Sequence, residues 1–433
     1  MKLETIKWKE LTEDEKIASL KRPVIESIEE QESVITEIFN EVKSNGDQAI
    51  KRYTKMYDGV EIDNLLMSDK EITSAFDRVP NTLIQSIENA IENVKTFHEK
   101  NFQGNTNKVE VRTGVNCQII KRPIENVGLY IPAGNNPLPS TAIMLGVPSS
   151  LAMNKESIVV SPPNDSGVVN DSIVVAAKLS GIGRICKVGG AQSIAALAYG
   201  TESIPQVDKI FGPGNSWVTK AKQMISLLNL PVSIDMPAGP TEVLIISDGN
   251  TNPEFIAYDL LSQAEHGVDS QVILISQNDS FLKKVAIEID KAISKIRTQE
   301  IAKISMKNSK LIFVDDIQEA INISNYYAPE HLIINCKNAE KLVQKISSAG
   351  SVFLGEWSPE SAGDYCSGTN HVLPTAGFAR SYSGLSVDSF CKSISVQSLT
   401  KKGLEIIGDD IINLAMAEGL EAHAKAVEVR IKK

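Results

Sequence analysis

Val127-Gly-Leu-Tyr-Ile-Pro-Ala-Gly134 decides how the chain folds: an apolar, partly β-branched run is cut off by a Pro/Gly turn, and a helical pattern follows. A strand, a tight turn and a helix make up the repeating piece of an α/β protein with a parallel sheet. The same texture recurs at Ser157 to Val160, Arg184 to Val188 and Lys209 to Phe211. A second series opens after Met236-Pro-Ala-Gly-Pro240, with strands predicted at Val243 to Ile246, Gln271 to Ile275, Leu311 to Val314, His331 to Asn335 and Ser351 to Leu354. Two α/β blocks are therefore expected. Ahead of them, residues 1 to about 110 carry apolar side chains at helical spacing, as in Ile25, Ile28, Val34, Ile35, Ile38 and Val42. Behind them, a Gly/Ser-rich patch around Ser381 to Gly384 precedes a tail that is predicted helical from Ile411.

At 433 residues the chain is too long for one ordinary core, so two or more domains are expected. Its net charge of -10, with acids and bases interspersed, excludes the basic footprint of a nucleic-acid binder. Five scattered cysteines without a CxxC pair are expected to be reduced, mostly buried thiols. The opening Met1-Lys-Leu-Glu-Thr-Ile-Lys-Trp8 lacks the apolar stretch of a signal peptide, and no run of about 18 apolar residues occurs. A cytoplasmic protein without a membrane span is expected, with a plastid form that has lost its transit peptide as the alternative.

The chemistry-bearing residues cluster late. Of five histidines, only His98 precedes the second series, whereas His266, His331, His371 and His423 each stand near a carboxylate or an amide. Gln263 and His266 fall at the end of a helical pattern closed by Gly267, so both side chains can leave one face and converge on one ion, although glutamine is an uncommon zinc ligand. Glu330 and His331 are adjacent and would point to opposite faces of a regular strand. Pro329 argues for an irregular loop-to-strand entry, with Ala328 extended, where both can share a site. An imidazole with a pKa of about 6.5 suits general base work, and a carboxylate beside it could activate water. Asp364 in Gly363-Asp-Tyr365 is predicted on a loop after a strand, and by itself is only a turn aspartate. Glu418 and His423 are separated by Gly419, so either a helix starts after the glycine or the two make different contacts.

No Gly-x-Gly-x-x-Gly dinucleotide fingerprint sits between a strand and a helix. Three Gly-bearing turns follow strands instead: Tyr130-Ile-Pro-Ala-Gly134, Gly189-Gly-Ala-Gln192 and Gly212-Pro-Gly-Asn215. Each is expected at the carboxyl edge of a sheet, where α/β proteins bind ligands; each is also compatible with being a sharp turn and nothing more.

Val127 to Gly134, Val188-Gly-Gly-Ala-Gln-Ser-Ile-Ala-Ala-Leu-Ala-Tyr-Gly200, Phe211-Gly-Pro-Gly-Asn215, Ala238-Gly-Pro-Thr-Glu-Val243 and Ala328-Pro-Glu-His-Leu332, in this order and spacing, resemble the histidinol dehydrogenase family from about residue 25 to 425. The resemblance implies an α/β fold of two incomplete Rossmann-like parallel-sheet domains, the second inserted in the first, plus small helical N- and C-terminal segments. In these terms 1–24 is the N-terminal segment, 25–129 and 241–385 form the first domain with the catalytic and metal residues, 130–240 is the NAD-binding domain and 386–433 is the dimerisation segment.

The activity implied is the zinc-dependent oxidation of L-histidinol to L-histidine through bound L-histidinal, a four-electron reaction using two NAD in succession and the last step of histidine biosynthesis. Carried over residue by residue, Gln263, His266, Asp364 and His423 match ligands of one Zn2+ per subunit, with His423 coming from the partner in a homodimer. Glu330 and His331 match the acid/base pair, and Tyr130, Gln192 and Asn215 the NAD contacts. Thr241, His371 and Glu418 match substrate positions, joined there by Gln263, His266, His331, Asp364 and His423; at 241 the family commonly has Ser, and the hydroxyl is kept. The alternatives are a related zinc/NAD dehydrogenase of another small diol or amino alcohol, a zinc hydrolase using Glu330 and water, and a two-lobed binding protein without catalysis.

Overall fold

The computed structural model describes residues 5–23, 28–133, 136–237 and 239–432, with the side chains of 28–30 also left aside; Ile25, Ile28 as a side chain, Gly134 and Ala238 of the patterns above lie outside these. Every predicted strand is present. In the first block strands run Asn126–Tyr130, Glu156–Ser161, Arg184–Lys187 and Lys209–Phe211, and a short Ser233–Ile234 is added. They form a five-stranded parallel sheet in the spatial order third, second, first, fourth, fifth. The second block, Glu242–Ser247, Gln271–Ser276, Lys310–Phe313, His331–Asn335 and Ser351–Leu354, repeats that order, with Thr5–Lys7 added in parallel outside Lys310–Phe313. This is the doubly wound arrangement, twice, and neither sheet is a complete Rossmann set. Because Thr5–Lys7 belongs to the six-stranded sheet, the five-stranded unit is an insertion within it.

Both faces of both sheets are covered, which is why their strands are near-continuous Val/Ile/Leu runs rather than alternating ones. Ile87 and Val94 of helix Asn81–Asn101 pack with helices Pro139–Ala152 and Asp171–Leu179 on one face of the five-stranded sheet. Ile35, Phe39 and Ile50 of helix Ile28–Asp58 pack with Gly190–Tyr199 and Ser216–Ile225 on the other. The helices of 28–101, expected to go with 241–385, thus bury their apolar stripes on the inserted sheet. The six-stranded sheet is covered by Pro253–Ala264 and Asp279–Ile293 on one side and by Ile317–Tyr327 with Trp8 and Leu20 on the other.

A three-stranded antiparallel sheet, unforeseen in the sequence, joins Val109–Arg112, Val115–Pro123 and Cys391–Leu399. Helices Lys401–Ala417 and Glu421–Ile431 follow it, and Ile394, Val396, Leu399, Leu414, Met416 and Leu420 stay exposed on this C-terminal unit. All five cysteines are free; Cys186 alone is buried and Cys366 is exposed, so burial is less general than expected. Among the described residues no helix is long and apolar enough to cross a membrane.

Candidate active site

The carboxyl edge of the five-stranded sheet faces the amino edge of the six-stranded sheet across a cavity of about 770 Å³. On the first side the chain leaves strand Lys209–Phe211 through Gly212-Pro-Gly-Asn215. Gly212 has φ +123°, and a Cβ there would stand 2.1 Å from the Tyr130 carbonyl oxygen, so only glycine fits the turn. A buried ion pair clamps it: Lys222 Nζ lies 2.5 Å from Asp235 and donates to the Gly212 carbonyl at 2.7 Å, while Gly212 N–H donates to Asp235 Oδ2 at 2.8 Å. Asn215 caps helix Ser216–Ile225, its Oδ1 accepting from Val218 N–H at 3.1 Å. A helix N-terminus entering a cavity behind a glycine turn suits an anionic, phosphate-bearing ligand.

On the second side, strand starts deliver the chemistry. Helix Ile317–Tyr327 ends at Ala328, which has φ +53° rather than the extended conformation expected before Pro329. Arg22 holds this corner by donating to the Tyr327 carbonyl at 2.8 Å, stacking on the Tyr327 ring, and binding both oxygens of the buried Glu242. The irregular arrival lets Glu330 and His331 share one site, as expected, although the cause is a left-handed helix end. Thr241 Oγ1 donates to Glu330 Oε2 at 2.6 Å and Glu242 N–H donates to the same oxygen at 2.9 Å. Gln263 Nε2 lies 2.7 Å from Thr241 Oγ1, 2.9 Å from His331 Nδ1 and 3.2 Å from the Glu242 carbonyl. His331 Nδ1 lies 3.2 Å from that carbonyl too, and its Nε2 is 3.6 Å from Asp364 Oδ1.

Helix Pro253–Ala264 stops before His266, so Gln263 sits in its last turn and His266 beyond it, held by its N–H donating to the Gln263 carbonyl at 3.3 Å. Asp364, predicted on a loop, is on a short helix Glu360–Tyr365. His371 Nδ1 donates to the Asp364 carbonyl at 2.9 Å and its Nε2 is 3.3 Å from Thr141 Oγ1.

The electrostatics follow from burial among like charges. Burial pushes Glu330 up to about 7, with His331 pulling the other way. For His331 burial favours the neutral ring, but Glu360, Glu330 and Asp364 outweigh it and raise the group to about 10. Burial holds His371 below its usual value.

The geometry also fits a metal. Donor atoms of His266, Glu360 and Asp364 lie within 4.8 Å of one another, and Gln263 Oε1, His331 Nε2 and Glu360 Oε2 are buried without hydrogen-bond partners. An oxygen- and nitrogen-rich set with unspent lone pairs suits a divalent ion such as zinc.

Thr241, Gln263, His266, Glu330, His331, Asp364, His371 and Asn215 thus line one cavity. Tyr130 and Gln192 are buried beside it under the five-stranded sheet's edge, with the Tyr130 hydroxyl against the Gly190 backbone, and do not line it. Glu418 closes the helix ending at Ala417, Gly419 breaks it at φ +74°, and His423 lies on the next helix, so of the two sequence options the helix restart is the one realised; both side chains are exposed, away from their own chain's cavity. Arg22, Lys222, Asp235, Glu242 and Glu360 were missed. Glu360 had a signal in its four-residue spacing from Asp364; the others are recognisable only once the fold brings them together.

The profile of the histidinol dehydrogenase family matches residues 21–431. The chain belongs to that family. Histidinol dehydrogenases from Xanthomonas campestris pv. campestris (strain 8004) and Colwellia psychrerythraea (strain 34H / ATCC BAA-681) are each 46% identical to it, over 429 residues (99% of both chains) and 427 residues (99% of this chain, 98% of the relative). The crystal structure of histidinol dehydrogenase from Elizabethkingia anophelis superposes with a TM-score of 0.95 at 46% identity, covering 99% of this chain and 98% of that one. As in its family, the chain is an oxidoreductase built on this α/β fold.

Proposed function

We propose that this protein oxidises L-histidinol to L-histidine, the closing step of histidine biosynthesis, passing two hydrides in succession to two NAD. The observation that carries the reading is the buried Glu330 and His331 pair opening onto the same cavity as the unpartnered Gln263 Oε1 and the neighbouring donor atoms of His266 and Asp364. Zinc bound by Gln263, His266, Asp364 and His423 of a second copy would act as a template for the substrate's imidazole and amine. NAD lying along the Gly212 turn, with Asn215 at the cavity wall and Tyr130 and Gln192 buried behind it, would supply the hydride acceptor.

The remaining work falls to side chains. Gln263 Nε2 has two protons for three neighbours; when they go to Thr241 Oγ1 and the Glu242 carbonyl, His331 donates from Nδ1 to that carbonyl and Nε2 is the nitrogen that titrates. In the metal-free chain the surrounding carboxylates hold this ring protonated, up to about 10; a bound cation would offset them, and Nε2, then bare, would take the alcohol proton as the first hydride leaves. The second oxidation needs the hydrated aldehyde, and Glu330 takes a proton from the attacking water; in the metal-free chain burial raises this carboxylate to about 7, a value suited to giving and taking protons near neutrality. Thr241, His371 and Glu418 of the second copy are read as substrate contacts. The exposed Glu418 and His423, with the apolar surface of the C-terminal unit around them, support a homodimer whose sites are shared. Five free thiols are in keeping with the cytoplasm.

The test is NADH formed per mole of limiting L-histidinol, with chelator and with zinc restored. Two NADH per substrate, lost on chelation and regained with zinc, is the expected result; turnover only of another diol or amino alcohol would overturn the substrate, and zinc-dependent turnover without NADH would overturn the redox reading. Mixing and refolding His423→Ala and His331→Ala chains should regain activity if the site is shared, and no recovery would refute it.

A further inference from the structure

Helix Pro139–Ala152 covers the inserted sheet and has Pro148 in its interior. A proline has no N–H to give, so the carbonyl four residues earlier, that of Met144, loses its helical partner. The replacement comes from far along the chain: Asn370 Nδ2 donates to the Met144 carbonyl at 2.7 Å, and Asn370 Oδ1 accepts from Val372 N–H at 2.9 Å. Both ends of the buried amide are thus assigned. Val372 itself packs into the same apolar core as the helix. The segment that follows the larger sheet is in this way pinned to a helix of the smaller one.

The next residue carries the contact into the cavity. His371 Nδ1 lies 2.9 Å from the Asp364 carbonyl, which can only accept, so Nδ1 carries the proton and Nε2 of the neutral ring is an acceptor. Thr141 Oγ1 stands 3.3 Å from that Nε2, and Thr141 precedes Met144 by three positions on the same helix face. Asn370 and His371 therefore dock on adjacent sites of one helix, while the other side of the His371 ring holds the backbone of Asp364. We propose that Asn370 is a positioning residue for the metal side of the cavity: seated on the carbonyl that Pro148 frees, it fixes the ring of His371 and, through it, the place of Asp364. The inference rests on the zinc reading of the site and deepens it.

The test combines two substitutions. Asn370→Ser keeps a hydroxyl that can accept from Val372 N–H but falls short of the Met144 carbonyl. Pro148→Ala restores the helical N–H, so that this carbonyl no longer depends on Asn370. Zinc affinity is measured without substrate or NAD by competition against a chromophoric chelator, the thermal midpoint on the metal-free chain, and the His371 tautomer by nitrogen NMR of histidine-labelled protein, which the chain's five histidines keep simple. Asn370→Ser is expected to weaken zinc binding about tenfold, to lower the midpoint by about 2–4 °C and to replace the single Nδ1-protonated form of His371 by a mixture. In the Pro148→Ala background the same substitution should cost less of the midpoint, because the carbonyl is satisfied, yet weaken zinc and mix the tautomers as before. Zinc affinity and tautomer that recover together with the midpoint, or that never change, would reduce Asn370 to a structural residue; a midpoint cost undiminished by Pro148→Ala would overturn the docking on the freed carbonyl. If the parent itself binds no zinc, it is the zinc reading that has failed, and the tautomer alone decides for or against Asn370.

Discussion

The two parallel sheets have the same strand order yet turn opposite ends to the cavity. The five-stranded sheet offers its carboxyl edge, where glycine turns lead into helix N-termini; the six-stranded sheet offers its amino edge, where helix C-termini deliver Gln263, Glu330 and His331 to the starts of strands. The difference is electrostatic. Helix N-termini carry partial positive charge and favour phosphate, whereas helix C-termini carry partial negative charge and favour cations. A strand's amino end also receives side chains from an irregular arrival, so adjacent residues such as Glu330 and His331 can converge there. One topology, used from both ends, yields a surface suited to an anion opposite one suited to a cation.

The largest effect that would break this comparison is on the amino-edge side. His331→Asn should lower kcat for NADH formation by about 10²- to 10⁴-fold, with folding cooperativity intact by circular dichroism; a loss under tenfold would remove His331 from the proton path. On the carboxyl-edge side the expected effect is on stability. Lys222→Met strands the buried Asp235 carboxylate beneath the Gly212 turn, and urea denaturation should show a loss of about 3–5 kcal/mol. Adding Asp235→Asn should return part of it, and an undiminished loss would mean the clamp is not electrostatic. A smaller effect is expected of Arg22→Lys, which loses the forked grip on Glu242 and the stacking on Tyr327. About 1.5–3 kcal/mol is expected for hydrogen bonds to a charged group, read as a lower urea midpoint, and an unchanged midpoint would detach the N-terminal segment from the site.

The smallest effect concerns His98 in the helical cover of the five-stranded sheet. Burial lowers it to about 4 from the usual 6.5, so the unfolded chain binds a proton that the folded chain refuses between those values. Its contribution is full above about pH 6.5 and is lost as pH falls toward about 4. The thermal midpoint of the parent should therefore fall relative to that of His98→Leu as pH drops through that window; a pH-independent difference would mean that His98 titrates alike in the folded and unfolded chain.

Strand after strand was legible because buried parallel strands are written as β-branched runs closed by Gly or Pro. Thr5–Lys7 and the antiparallel sheet were not: the first is three residues long, and in Cys391–Leu399 the apolar Ile394, Val396 and Leu399 are interrupted by polar residues and exposed, unlike the buried β-branched runs of the parallel sheets. Glu330 and His331 could be placed together because Pro329 announced a break, even though Ala328 broke in another way. The buried charges Lys222, Asp235 and Glu242 cannot be told from surface charges in the sequence, since only tertiary burial distinguishes them. The packing of helices 28–101 on the inserted sheet was equally hidden, because an apolar stripe records that a face is buried and not against which sheet.

The strand Thr5–Lys7 bears on the order in which the molecule comes together. Lys9, just after it, pairs with Asp315, a partner 306 positions along the chain, whereas the five-stranded sheet uses one continuous stretch from Asn126 to Ile234. Contacts closing so long a loop form late, and contiguous units form early. During synthesis the five parallel strands can pair while the first strand waits for Lys310–Phe313 to emerge, and Val387 and Phe390 join their core later still. A chain with that strand clipped or masked would still finish the insertion, and would leave the edge of the larger sheet open to pairing with its neighbours.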